Sequence, residues 1–291
     1  MRPLQNITGE IAALEGHRNM KTRIISAAVL VPVLFIILLA APEILAALVL
    51  GILLAIAAYE LLYRTGLVKQ VRLVAYAAVM AFAISMWSYW GSARAYFLLM
   101  LIVFYGLMFM EMMLDHIKVH FETVGMCFVA GFIIPYMLSA LIRILMLNNI
   151  GRYVVLIPFV VAFTSDAGAY FVGLKFGKHK LAPVVSPNKT IEGVLGGMAS
   201  ATVCMLIYAF ILDLPLRCNV NYGFAILYGL VGSLVGTFGD LCFSVIKRQT
   251  GIKDYGNLIP GHGGVLDRFD SLTLVAPLME VLILLMPIII S

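Results

Sequence analysis

The sequence predicts an all-α integral membrane protein, a polytopic bundle of about nine transmembrane helices with its N-terminus in the cytoplasm. Three observations carry that expectation. The 291 residues are 63% hydrophobic and 12% charged, with a mean hydropathy of +1.03, too few charges to coat the outside of a soluble chain this long. The apolar residues come in uninterrupted runs of the length, about 20 residues, that crosses the hydrocarbon core as a helix. Those runs lack the period-two alternation of outer-membrane strands, so helices are expected rather than a barrel. Disorder and a disulfide scaffold are excluded as well: Cys127, Cys204, Cys218 and Cys242 are dispersed, form no C-x-x-C pair, and read as small apolar fillers.

Taken in order, residues 1–23 are polar enough to form a cytoplasmic N-terminal segment with scope for a short surface helix. The first apolar run starts late and is followed at once by another, which argues against a cleaved signal peptide. Spans near 24–41, 44–61, 73–93, 95–113 and 122–142 form an N-terminal set of transmembrane helices within 24–150. The first two are divided only by Ala41-Pro42-Glu43, the expectation being a tight helical hairpin. Spans near 153–174, 192–212, 221–246 and 270–290 make a C-terminal transmembrane region, 151–291, that carries the catalytic motifs.

Orientation follows from the basic residues. With the N-terminus inside, sixteen of the twenty lysines and arginines fall on cytoplasmic segments, and only Arg94, Arg143, Arg152 and Arg217 fall on the other side. The net charge of +5 is then mostly topology, and only secondarily attraction to anionic lipid. The sequon Asn6-Ile7-Thr8 lies inside and reads as accidental.

Two connections differ from the rest. Residues 175–191 and 247–269 are long, basic and rich in Gly, Pro, Lys and His, and long ordered loops in compact proteins usually serve function. Each follows a span with a carboxylate: the sixth carries Ser165-Asp166-Ala167-Gly168-Ala169-Tyr170, the eighth Gly239-Asp240-Leu241-Cys242-Phe243-Ser244. An intramembrane carboxylate costs roughly 3 kcal/mol by insertion scales, so each needs water, a partner or a metal. Asp166 lies nine residues before Lys175, and Asp240 seven before Lys247. At about 1.5 Å per residue both sit about 10–14 Å inside the cytoplasmic boundary, where one inward-opening pocket could hold both. Asp240, Ser244, Lys247 and Arg248 recur at i, i+4, i+7 and i+8 and so line one helical face, and Asp166, Tyr170 and Gly173 form a matching stripe. Hydrogen bonding between helices explains either carboxylate singly; two at matched depth beside basic loops favour function.

The second loop is the densest chemistry in the chain. Gly261, Gly263 and Gly264 let backbone N–H groups approach an anion, and Asp267 and Asp270 open the ninth helix as oxygen ligands suited to a hard cation. Between Asp240 and Asp270 four acids (Asp240, Asp254, Asp267, Asp270) face four bases (Lys247, Arg248, Lys253, Arg268). That balance is poor for a triphosphate until a Mg²⁺ ion is added. Helix caps and a Gly-rich turn account for Asp267 or Gly261 alone but not for the cluster. In the other loop, Ser186-Pro187-Asn188-Lys189-Thr190 precedes the seventh span as an anion cradle, although Thr190 could simply cap that helix. Lys175, Lys178 and Lys180 read as topology, and Lys189 as site.

At this point the sequence resembles the phosphatidate cytidylyltransferases (CDP-diacylglycerol synthases). Their pattern S-x-x-K-R-x-x-x-x-K-D-x-G-x-x-x-P-x-H-G-G-x-x-D-R-x-D is met here at every fixed position by Ser244, Lys247, Arg248, Lys253, Asp254, Gly256, Pro260, His262, Gly263, Gly264, Asp267, Arg268 and Asp270. The resemblance extends to Ser165-Asp166, to Ser186-Pro187-x-Lys189-Thr190-x-Glu192-Gly193 and to Gly239-Asp240, so it is detailed only in the C-terminal half. Ala167 stands where relatives often carry Thr or another small residue. The resemblance implies Mg²⁺-dependent transfer of the cytidylyl group from CTP to phosphatidate, giving CDP-diacylglycerol and pyrophosphate. It implies catalytic roles for Asp240, Asp267, Lys247 and Arg248, with Asp240 and Asp267 holding the metal and Asp270 and Asp166 as further ligands or supports. Ser186, Asn188, Lys189, Thr190, Ser244, Lys253, His262, Gly263, Gly264 and Arg268 would bind substrate. A second cation is left open, a homodimer is a family-based expectation, and no nucleic acid is expected. A bacterial inner membrane with a cytoplasm-facing site fits the compact chain.

The chief rival is a transporter of a phosphorylated solute, which also uses intramembrane charges. No internal repeat is evident, and the charged motifs gather at one membrane edge. The D-G-x-x-A-R pattern of the CDP-alcohol phosphatidyltransferases is absent. Glu280, mid-span in the ninth helix, and Glu60 and Glu111, near span ends, have no partner that the sequence identifies.

Overall fold

The computed structural model describes residues 32–91, 94–147, 150–214, 219–258 and 263–290. The expected N-terminal segment with its sequon, most of the first expected span, Arg217, Cys218 and His262 lie outside the described residues. The protein is a polytopic helical membrane protein, and seven of its helices are long and apolar enough to cross a bilayer.

Residues 32–39 form the first described helix, α1, and Ala41-Pro42 break it as expected. Glu43–Tyr59 (α2) starts directly after Pro42, whose fixed φ and missing N–H suit a helix start. It runs into a π turn at Glu60–Arg64. Val71–Trp90 (α3) ends on Gly91, whose φ of 54° makes a left-handed cap. Arg94–Leu114 (α4) is peripheral and buries Phe104 and Met108. Phe121–Leu145 (α5) contains a second π turn at Val129–Ile133. Pro135 explains that one, because its ring displaces the carbonyl of Gly131, four residues back. These helices are knit by close backbone approach: the Ser85 hydroxyl donates to the Ala47 carbonyl at 2.8 Å, and a Cβ on Gly131 would sit 2.8 Å from Ala77 Cα.

Gly151–Phe176 (α6) is interrupted at residues 155–156, just ahead of Pro158. Ile191–Asp213 (α7) is capped by Thr190, whose hydroxyl accepts from Gly193 N at 3.1 Å. Tyr222–Gln249 (α8) is capped by Asn221, which accepts from Phe224 N at 3.2 Å. A four-residue helix, Leu266–Phe269 (α9), leads into Leu272–Leu285 (α10). The expected ninth span at 270–290 is thus helical over only 14 residues. Pro287 disfavours the helical conformation for the residue before it, and Met286 turns to φ −136°, ψ 66°. The chain then pairs Ile289–Ile290 (β4) with Asn219–Val220 (β3). A second departure lies in the loop 175–191, which holds an antiparallel hairpin of Lys180–Ala182 (β1) and Ser186–Thr190 (β2).

α6 and α7 pack through missing side chains. A Cβ on Gly168 would meet Ser200 Cβ at 2.4 Å and the Gly196 carbonyl at 2.8 Å, and one on Gly196 would meet Val172 Cβ at 2.4 Å. Small residues at such crossings let helix backbones approach where no hydrophobic effect drives them together. Gly168→Ala is therefore expected to lower stability by about 1–3 kcal/mol, the usual range for overpacking. Thermal unfolding in detergent reads this directly, and an unshifted midpoint would show that the two helices are free to part.

Two ion pairs tie distant helices. Arg143 on α5 grips Glu280 on α10 in a fork, Nε to Oε1 at 2.6 Å and a terminal nitrogen to Oε2 at 2.7 Å. Its other terminal nitrogen donates to Ser139 Oγ at 2.7 Å and to the Tyr136 carbonyl at 3.1 Å. Arg152 on α6 holds Glu43 at 2.6 Å and donates to the carbonyl of Leu39 at 3.0 Å, anchoring the turn between α1 and α2. Arg143 and Arg152, which read as exterior topology charges in the sequence, are thus also tertiary contacts.

Candidate active site

The candidate residues come from four places: the C-terminal half of α6, the strand β2 leading into α7, the C-terminal third of α8, and the segment from residue 250 to Ser271. The close α6–α7 crossing sets the first two side by side. A buried hydroxyl pair, Ser165 with Ser233 at 2.6 Å, fixes α6 against α8 one residue before Asp166.

Asp240 is the centre. Its Oδ2 meets Lys189 Nζ at 2.5 Å, and its Oδ1 accepts from Ser244 Oγ at 3.2 Å. The Lys189 and Asp240 side chains are 24% and 25% exposed, so the pair is sheltered yet reachable. The contact joins the first long loop to the span that leads into the second. The charges that act on Asp166 are Asp240, Lys189 and Arg268, with the Ser271 hydroxyl beside it. Those that act on Asp270 are Asp240, Lys247 and Asp166. Three carboxylates from α6, α8 and the start of α10 therefore share one neighbourhood with three cations.

Asp267 is engaged differently. It is buried, and its Oδ2 accepts from Tyr255 N at 2.8 Å and from Gly264 N at 3.0 Å, while Oδ1 takes Lys247 Nζ at 3.1 Å. Gly263 has φ 87°, a left-handed backbone that suits glycine, and a Cβ there would lie 2.9 Å from Asp267 Oδ2. Tyr255 is buried as well and donates its hydroxyl to the Phe243 carbonyl at 2.9 Å. Burial, with Asp267 and Asp270 nearby, raises its phenol well above the usual range, so it stays protonated. Arg248 Nε donates to the Val185 carbonyl at 3.1 Å, pinning the hairpin to α8. Glu192 accepts from Lys178 N at 3.1 Å and contacts His179 Nδ1 at 2.6 Å, which anchors the hairpin's entry. Lys253, Arg268 and Asn188 are exposed, Ser186 is half-buried, and Gly264 is buried.

Tyr170, placed beside Asp166 by the helical period, is 64% exposed. Glu60 is one of three carboxylates, with Glu111 and Glu280, that sequence reasoning left without a partner. It reaches the site from α2, its Oε1 accepting from Val265 N at 3.1 Å and its Oε2 from Leu266 N at 3.0 Å. Only the cost of a charged residue at a span end signalled it.

Among the described residues no three His, Cys, Asp or Glu side chains converge as a ready-made metal cage. The chemistry of the donors nevertheless suits a hard divalent cation. Asp166, Asp240 and Asp270 offer carboxylate oxygens in one field, and among the described residues Asp267 Oδ1 is bonded only to Lys247.

The model of the cytidylyltransferase family matches residues 21–286 of the chain. A phosphatidate cytidylyltransferase of Bacillus subtilis is 41% identical over 165 residues, 57% of this chain and 60% of that protein. One of Staphylococcus haemolyticus is 43% identical over 136 residues, 47% of this chain and 51% of that protein. One of Staphylococcus aureus (strain COL) is 43% identical over 134 residues, 46% and 50% respectively. The chain thus spans about half the length of the curated relatives that it matches.

Proposed function

Because the chain belongs to the cytidylyltransferase family, we propose that it transfers the cytidylyl group from CTP to phosphatidate, forming CDP-diacylglycerol and pyrophosphate. The observation that carries this reading is the Lys189–Asp240 contact, which ties the Ser186–Thr190 cradle to the carboxylate whose charge acts on both Asp166 and Asp270. In the reaction, a phosphate oxygen of the lipid forms a bond to the α-phosphorus of CTP, and the bond from that phosphorus to the bridging oxygen of pyrophosphate breaks. No protein nucleophile is needed, since the lipid supplies it. The chain's task is to hold two polyanions together and to balance the charge that moves onto the leaving group.

Lys189 and Lys247 stand beside the carboxylates of Asp240 and Asp267, and Arg248, Lys253 and Arg268 are the further cations that would bind phosphate. Ser186, Asn188, Thr190 and Ser244 would add hydroxyl and amide groups, and His262, Gly263 and Gly264 would shape the loop that receives the anion. Asp240, Asp267, Asp270 and Asp166 are the side chains that would hold Mg²⁺, Asp267 through the one oxygen free of backbone bonds. When bound, the ion would neutralise triphosphate charge that the balanced acids and bases leave uncompensated. The two lysines already paired with carboxylates keep the acidic cluster from repelling the nucleotide.

The positive-inside distribution supports a cytoplasmic N-terminus and a site opening to the cytoplasm of a bacterial inner membrane. A homodimer without nucleic acid as a partner belongs to the same reading. The test is transfer of label from α-labelled CTP into chloroform-soluble lipid by the purified protein, omitting phosphatidate and Mg²⁺ in turn. Label appearing only with both present is expected. No label from folded protein offered several phosphatidates would overturn the assignment and make solute uptake the next measurement.

A further inference from the structure

We propose that Glu60 is a positioning residue for the reaction, the side chain on α2 that sets the Gly-rich loop in its working geometry; this rests on the cytidylyl-transfer reading. Glu60 is 2% exposed, and its carboxylate is bonded to backbone N–H groups. Burying an ionised carboxylate is costly unless its oxygens are fully engaged. Here each oxygen takes one N–H from the turn that opens α9, and those amides lie immediately before Asp267 in the chain.

The loop backbone is shaped around this carboxylate. A Cβ on Gly256 would fall 2.2 Å from Glu60 Oε1, and one on Gly264 would fall 2.5 Å from Oε2. Both ends of the loop are therefore drawn in so closely that a side chain at either would displace the Glu60 carboxylate. On the other side Asp267 accepts from Tyr255 N and Gly264 N, so the loop is clasped between two carboxylates, one from each half of the chain.

The π turn at Glu60–Arg64 makes this reach possible. Glu60, Leu61 and Leu62 are all buried, three successive residues that a regular surface helix would spread around its circumference. The widened turn faces Glu60 toward the loop while the leucines remain in the core, the kind of local departure often found at functional sites. Among the described residues no hydrogen bond joins Glu60 to Asp166, Asp240 or Asp270, so it acts through Val265 and Leu266 on the direction of Asp267 and the Gly263–Gly264 backbone.

The test compares Glu60→Ala, Glu60→Gln and Gly264→Ala with the parent, measuring kcat and KM per folded protein and hydrogen exchange of the segment 255–268. Glu60→Ala is expected to lower kcat about 10–100-fold, the size of losses when groups supporting a site are removed. KM for phosphatidate should stay within about 2-fold, and exchange at 265–266 should accelerate. Glu60→Gln, with one acceptor oxygen left, should fall between. Gly264→Ala attacks the same contact from the loop and should lower kcat too, with much less further loss once Glu60 is alanine. A folded Glu60→Ala protein with parental kcat and exchange would overturn the proposal, as would an unfoldable Glu60→Ala beside a folded Gly264→Ala of normal kcat. A parent that transfers no label would instead overturn the cytidylyl reading. The exchange data would then still decide whether Glu60 holds the loop, unchanged exchange in Glu60→Ala refuting it.

Discussion

Asp240→Asn is expected to reduce cytidylyl transfer by at least about 10²–10³-fold, the scale seen when one group that stabilises transition-state charge is removed. The substitution is nearly isosteric, and the amide oxygen can still accept from Ser244 Oγ, which bonds Asp240 at 3.2 Å. What changes is charge: Lys189 loses its carboxylate partner, and the cluster with Asp166 and Asp270 loses its shared member. Lys189 is 24% exposed, so its ammonium can find water, and the fold should not suffer. Unfolding midpoint and turnover should therefore separate. Near-parental activity in a folded Asp240→Asn protein would remove Asp240 from the chemistry and with it the proposed metal set.

The largest effect on stability is expected at Arg143. Arg143→Ala leaves Glu280 without its fork of two bonds among helices α5 and α10, in a pair whose side chains are each 18% exposed. Removing one member of a buried pair typically costs about 3–5 kcal/mol, because the survivor keeps its charge without compensation. Glu280→Ala should cost a similar amount, and the double variant should recover part of the loss, since neither charge is then stranded. Arg143→Lys should fall short of the parent, because an ammonium cannot reproduce the planar fork or its position 4.6 Å over the Tyr136 ring. Unfolding of the four variants and the parent in one detergent measures these differences. Single variants as stable as the parent would mean that the pair contributes nothing.

The spans from 44 to 246 were legible because a membrane helix is written locally, in an apolar run of fixed length. Asp166, Asp240, Lys189 and Asp267 were legible for a related reason: each sits inside a short motif or at a depth that demands explanation. Glu60 and Glu280 were not, because their partners lie 205 and 137 residues away and no pattern at either end points to the other. The β1–β2 hairpin escaped too. Ser186-Pro187-Asn188-Lys189-Thr190 has no apolar alternation, and it is a strand by pairing with Lys180–Ala182, in a hairpin that Arg248 and Glu192 hold at Val185 and Lys178. The end of α10 was misjudged by weighing apolarity above the backbone restriction of Met286-Pro287.

The short reach of α10 bears on how the chain is assembled. At about 1.5 Å per residue, its 14 residues extend about 21 Å, less than the hydrocarbon thickness of about 30 Å, and they include an acid. Such a segment is a poor substrate for insertion by itself. During synthesis it emerges after α5, so Arg143 is already in the bilayer when Glu280 leaves the ribosome. The last helix is then received by a waiting counter-charge rather than admitted on hydrophobicity.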